Sequence, residues 1–340
     1  MAGMDKRGFD IDWFYGTHGH RLRFGRLDSS KSLKFPDGQE IMDETSHGTA
    51  SIQNNGQGFS LEKTKKIILL LNGRSEFLEK YEEVALELSS RGYLVLSFDW
   101  RGQGLSVREL ENRQKGYVKT FDDYLGDLDV FYREIVKPLS LPVTVLAHSM
   151  GGHLALRLMH DNPSFVDRAV LVSPMIDIVT SPFPTLVARK VANIACAAGF
   201  GESYVFGSSN YVPGKEPFEN NRLTHDREQF YNVEKLIAAN PDLALGDVTY
   251  AWLKATFDSI DLLNSKQYAR DIGTRVLLIS AGQDRVVSVN AHRRMAKILP
   301  DCEFVSIPHA RHEILHETRE VRDLFWNYFD SFTSQGSKGR

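Results

Sequence analysis

Val143-Thr144-Val145-Leu146-Ala147-His148-Ser149-Met150-Gly151-Gly152-His153 begins as an apolar run, turns at a serine with small neighbours, and continues into a helical pattern over 150–160. A continuous apolar run predicts a strand buried on both faces of a parallel sheet. Small flanking residues suit a serine whose strained backbone brings strand and helix into close approach. A hydroxyl on such a turn is exposed and is faced by N–H donors for a developing oxyanion, two of the three things a serine nucleophile needs. Ala147 stands where this turn ordinarily has glycine, and one extra methyl predicts a slightly tighter elbow. The alternative is a buried serine at an ordinary strand–helix junction.

Strands and helices alternate on both sides of this turn. Upstream, Ile67-Ile68-Leu69-Leu70-Leu71 reads as a second doubly buried strand, followed by the loop Asn72-Gly73-Arg74-Ser75 and a helix carrying Phe77, Leu78, Tyr81, Val84, Ala85 and Leu88. Residues 93–98 form the next strand, and a helix from Phe121 ends near Pro138. Downstream come strands at 168–172, 275–280 and 303–307, a helix at 290–299, and a final helix at 318–332 before a polar tail, 333–340. Such alternation implies right-handed crossovers and an α/β class, with a mainly parallel sheet covered by helices on both faces. Residues 9–17 and 20–27 predict an opening β-hairpin around His18-Gly19. Residues 28–66, rich in Ser, Gly, Asn, Asp and Lys, predict a long polar surface insertion, with a short strand at 49–53 as an option. Between 175 and 273 the alternation stops and gives way to helical patterns at 186–198 and 248–263, split by a Gly, Pro and Asn-rich stretch. We read this segment as a helical lid inserted after the sixth strand, leaving 1–174 and 274–332 as the core.

The chain has 340 residues, 42% hydrophobic and 25% charged, which fits one large α/β core carrying an insertion. A formal net charge of -3 provides no field favouring nucleic acid. Cys196 and Cys302 lack ligand spacing, so no metal site is signalled. Residues 1–12 lack the apolar core of a secretory signal, and the most apolar helical stretch, 186–200, is broken by Arg189, Lys190 and Asn193. It falls short of the roughly 20 residues a membrane span needs. A cytoplasmic location is therefore expected. Oligomeric state is not legible.

One oxyanion donor should be the N–H of Met150, which follows the nucleophile, and the other the N–H of Arg74, with Gly73 letting the loop turn its amide inward. Glu76 has two equal readings, orienting this loop or standing as an acid in the first turn of a helix. Nucleophile, acid and base follow one another along the chain in this arrangement. Asp284, after a late strand, ranks first as the acid, ahead of Asp177. His312, directly after the last strand, is the preferred base, with His309 and His316 competing among 11 histidines.

These residues together resemble the monoacylglycerol lipase and lysophospholipase branch of the α/β-hydrolases, specifically its bacterial lysophospholipase-like members. The resemblance covers the hairpin 13–27, Asn72 to Tyr81, Asp99-Trp100-Arg101-Gly102-Gln103-Gly104-Leu105-Ser106, Phe121-Asp122-Asp123-Tyr124, the elbow, Asn240 to Gly246, and the acid and base segments. It departs at Asn72, where many relatives have histidine, at Ala147 and His309, where glycine is usual, and in 29–66, which lacks a counterpart. The resemblance implies an α/β-hydrolase fold and hydrolysis of the carboxylic ester of a single-chain lipid, lysophospholipid or monoacylglycerol, by an acyl-enzyme on Ser149 without a cofactor.

The apolar lid residues Phe183, Leu186, Val187, Val191, Ile194 and Phe200 either line an acyl pocket, with Phe183, Leu186 and Gly73 touching substrate, or meet the inner face of a membrane, or pack the lid onto the core. Core packing is the preferred reading. A rival is an esterase, thioesterase or acyltransferase acting on small soluble esters, since one triad serves all of them. A rival of another class is a binding protein that uses the fold without catalysis. Carboxylate-nucleophile chemistry is disfavoured because the elbow carries Ser149.

Overall fold

The computed structural model describes residues 8–28 and 66–335. The polar interval and its optional strand lie outside them, apart from residues 28 and 66. In chain order the elements are β1 (Asp10–Tyr15), β2 (Arg21–Leu27), β3 (Lys66–Leu71), α1 (Glu82–Ser90), β4 (Tyr93–Phe98), α2 (Phe121–Phe131), β5 (Val143–His148), α3 (Met150–Asp161) and β6 (Arg168–Val172). Then follow α4 (Thr185–Ala197), α5 (Arg227–Ala239), α6 (Tyr250–Leu263), α7 (Lys266–Arg270), β7 (Arg275–Ala281), α8 (Val289–Ile298), β8 (Cys302–Ile307) and α9 (Arg319–Ser334).

The eight strands form one sheet in the order β1-β2-β4-β3-β5-β6-β7-β8, antiparallel from β1 to β4 and parallel from β4 to β8. Side chains of a strand alternate between faces, and β3 shows what that does to an all-apolar sequence. Ile67, Leu69 and Leu71 enter a core shared with α2, α3, α6 and α8, whereas Ile68 and Leu70 enter a second core with α1 and α9. Each of these buried aliphatics contributes about 1.5–3 kcal/mol.

Register carries the chemistry to one edge. Leu71 lies opposite Ala147, and His148 opposite Val172, so the loop after β3 lies alongside the residues that end β5. Ala281 lies opposite Ile307, which brings the segments after β7 and β8 to that same edge.

Three boundaries differ from expectation. The apolar positions from Leu78 form a 3-10 turn, Leu78–Tyr81, before α1 begins. Thr333 and Ser334 belong to α9 and not to a tail, because the Arg168 guanidinium donates to the carbonyls of Phe332, Thr333 and Gln335 that end this helix. Between β6 and β7 the chain is helical, yet Leu263, Ala269 and Ile272 join the core of the sheet, so the last helices of that insertion are built into the α/β body.

Candidate active site

Ser149 follows β5 in a positive-φ backbone conformation, φ 50° and ψ -115°, that a non-glycine residue holds only when its surroundings enforce it. Its N–H donates to Val172 O at 3.1 Å, and its carbonyl accepts the N–H groups of Met175 at 2.9 Å and His153 at 3.1 Å. The start of α3 abuts the end of β3. A Cβ at Gly151 would lie 2.3 Å from Leu71 O and 2.6 Å from Asn72 O, so only glycine permits the approach. Met150 and Arg74, the expected oxyanion donors, thus stand at two backbone segments in contact.

His312 Nε2 is 3.0 Å from Ser149 Oγ, and His312 Nδ1 is 2.8 Å from Asp284 Oδ2. The other carboxylate oxygen of Asp284 accepts the N–H groups of Val286 at 2.8 Å and Val287 at 3.0 Å. Burial alone would raise this carboxyl, but His312 and the two amides hold it below its ordinary value. The competing residues are placed elsewhere. Asp177 Oδ1 accepts the N–H of Ile178, His309 is exposed, and His316 donates to Lys80 O within the core, its pKa pushed down to about 4 by burial.

Behind the triad lies a buried charge cluster. Glu76 accepts from the Gly73 N–H, from Tyr81 Oη at 2.6 Å and from Lys80 Nζ at 2.8 Å, and Lys80 reaches Glu313 Oε1 at 2.7 Å. His148 bridges this cluster to the base: Nδ1 is 3.1 Å from Glu76 Oε2 and Nε2 is 3.2 Å from His312 O. Both partners can only accept, so the imidazolium alone donates to both. Burial works against that charge, but Glu76 outweighs it and the His148 pKa is raised. Glu76 therefore orients the loop after β3, the first of its two readings. Lys80, His148 and Glu313 were not foreseen; the i, i+4 spacing of Glu76 and Lys80 was the available signal.

A cavity of about 540 Å³ opens on Ser149 and His312. Its wall includes Phe230, Val233 and Ile237 of α5, a helix the sequence reading missed although Asp226 caps it and those residues recur at helical spacing. Phe183 and Leu186, expected to touch substrate, do not line this cavity. They are 52% and 75% exposed, and Val187, Val191, Ile194 and Phe200 are exposed with them, which corrects the expectation of core packing. Gly73 likewise fails to line the cavity: it faces Glu76 and His148, and a Cβ there would lie 2.7 Å from Glu76 Oε2. Asn72, in the place of a histidine, is fully buried; its side-chain amide donates to Phe98 O at 3.2 Å and its backbone carbonyl accepts the Trp100 indole N–H at 2.9 Å. Among the described residues no group of three or more His, Cys, Asp or Glu is arranged to hold a metal ion, and no helix is long and apolar enough to cross a membrane.

Residues 62–319 match the family described as serine aminopeptidase, S33. Over 278 residues the chain is 31% identical to lysophospholipase L2 of Escherichia coli (strain K12), an alignment spanning 78% of this chain and 79% of that protein. It is 29% identical over 289 residues to monoglyceride lipase of Homo sapiens, covering 80% and 83% of the two chains. A soluble variant of monoglyceride lipase from Saccharomyces cerevisiae, solved with a substrate analog, superposes with a TM-score of 0.72 over 99% of both chains at 15% identity, a likeness of fold.

Proposed function

Because the chain belongs to the serine aminopeptidase S33 family of α/β-hydrolases and is a serine hydrolase of the lipase and esterase type, we propose that it cleaves the carboxylic ester of a single-chain lipid, a lysophospholipid or a monoacylglycerol. The observation that carries this reading is the continuous relay Asp284–His312–Ser149 at 2.8 and 3.0 Å, opening on a cavity with an apolar wall.

His312 Nε2 takes the Ser149 proton as Oγ attacks the ester carbonyl, and Asp284 holds the ring in the required tautomer and stabilises the imidazolium. The N–H groups of Met150 and Arg74 receive the oxyanion. His312 then returns the proton to the glyceryl oxygen as the acyl–oxygen bond breaks, leaving the acyl group on Ser149. Water, deprotonated by His312, attacks this ester and releases the fatty acid. Neither a metal nor a cofactor enters the sequence of steps. The helical insertion acts as a lid over the cavity, and the exposed apolar residues around α4 rest on the lipid surface from which substrate is drawn.

Fluorophosphonate labelling of wild type and Ser149→Ala tests the nucleophile, followed by turnover of monoacylglycerols, lysophospholipids and short esters. Wild type is expected to label and to favour long single-chain esters. A folded wild type that does not label overturns the reading, and a preference for short soluble esters transfers it to the small-ester class.

A further inference from the structure

Besides the His148 imidazolium paired with Glu76, the cavity beside Ser149 is lined by the cationic side chains of Arg74, Lys80 and Lys215, and two of these three are matched by acids. Lys80 stands between Glu76 and Glu313, and Lys215 Nζ is 3.9 Å from Asp247 Oδ2. Arg74 has no carboxylate within ion-pair distance among the described residues. Its Nη2 donates to Gly246 O at 2.6 Å, its Nε is buried without an acceptor, and the guanidinium lies 5.4 Å from the Trp252 ring centroid. Burial lowers its pKa and Asp247 offsets this in part, yet a guanidinium keeps its proton in a protein. Arg74 is only partly exposed, and a cation partly withdrawn from water with no carboxylate at ion-pair distance is one that an anion entering the cavity would stabilise.

The geometry points to Arg74 as an anion subsite that takes the phosphate of the substrate's head group, and so as the residue that favours a lysophospholipid over a monoacylglycerol. This assignment rests on the reading of Ser149 given above. The Arg74 backbone N–H is the proposed oxyanion donor, so its guanidinium stands one side-chain length from the ester carbonyl. In a lysophospholipid the glycerol carbons separate the acyl ester from the phosphate by a comparable stretch. The planar N–H fork pairs with phosphate oxygens in a way a lysine does not, while Trp252 and the Gly246 carbonyl hold it in place.

The test uses p-nitrophenyl butyrate as reporter and two non-hydrolysable ethers of equal chain length as inhibitors, 1-O-alkylglycerophosphocholine and 1-O-alkylglycerol, below their micellar concentrations. Wild type is expected to bind the phosphate-bearing ether about tenfold more tightly or better, Arg74→Met to abolish the preference, and Arg74→Lys to keep part of it. Equal inhibition constants in wild type, or a preference that survives in Arg74→Met, overturn the assignment. Inorganic phosphate inhibiting as strongly as the phosphocholine ether overturns the head-group source. If the reporter is not turned over and Ser149 does not label, the hydrolase reading fails instead.

Discussion

His148 donates to two acceptors at once, the Glu76 carboxylate and the His312 carbonyl, so its proton bears both on the loop after β3 and on the base. Burial disfavours every charge in this cluster, but Lys80 and His148 hold Glu76 well below its ordinary 4.5, Lys80 holds Glu313 below it too, and Glu76 lifts His148 above 6.5. A depressed acid contributes stability that is complete above its unfolded value and is lost as pH falls through the folded one. A raised histidine contributes stability that is complete below its unfolded value and is lost as pH rises through the folded one. The cluster's contribution should therefore be full between 4.5 and 6.5 and decline on both sides. Thermal unfolding followed across pH should show His148→Gln with a flattened alkaline limb and an acid limb that is weakened but kept by Lys80; an alkaline limb as steep as in wild type would contradict this. Ser149, Asp284 and His312, which the fold brings within hydrogen-bonding distance of one another, could be picked from the sequence because each stands shortly after a strand, in the chain order expected of nucleophile, acid and base. The sequence could not choose between the two readings of Glu76, whose partners His148 and Glu313 come from distant segments that only the sheet register brings together.

At the scale of elements, the contact between the start of α3 and the end of β3 sets Ser149 beside the loop that follows β3. Gly151→Ala would place a methyl against two backbone carbonyls, which cannot swing aside as a side-chain end would. The variant should lose about 1–3 kcal/mol in denaturant unfolding and label more slowly with fluorophosphonate, and a midpoint equal to that of wild type would show the approach to be slack. Strands β3 to β8 were readable within a residue or two: β3 to β7 are buried almost throughout and largely apolar, whereas β8, a half-buried edge strand, was readable from its place in the alternation. The insertion was less readable. α5 divides almost evenly between polar and apolar residues, and α6 divides its faces between the sheet core and α4, so composition alone did not separate lid from body.

For the whole molecule, Phe183, Leu186, Ile194 and Phe200 are large apolar side chains, each more than half exposed, in and beside α4. Phe183→Ser with Leu186→Ser should reduce flotation with phosphatidylcholine liposomes while turnover of a dispersed short ester reports that the fold is intact; equal flotation of variant and wild type would remove the membrane role of α4. The sequence supplied these residues but not their direction, since an apolar helix stripe reads alike whether it faces a core or a lipid. The strand order has a separate consequence for how the protein is made. His312 follows β8, the last strand to leave the ribosome, while Ser149 follows β5, so the serine emerges well before its base. On the proposed reading, activation of Ser149 waits for the final strand to dock, so a nascent or truncated chain that ends before β8 is expected to be inert as an esterase.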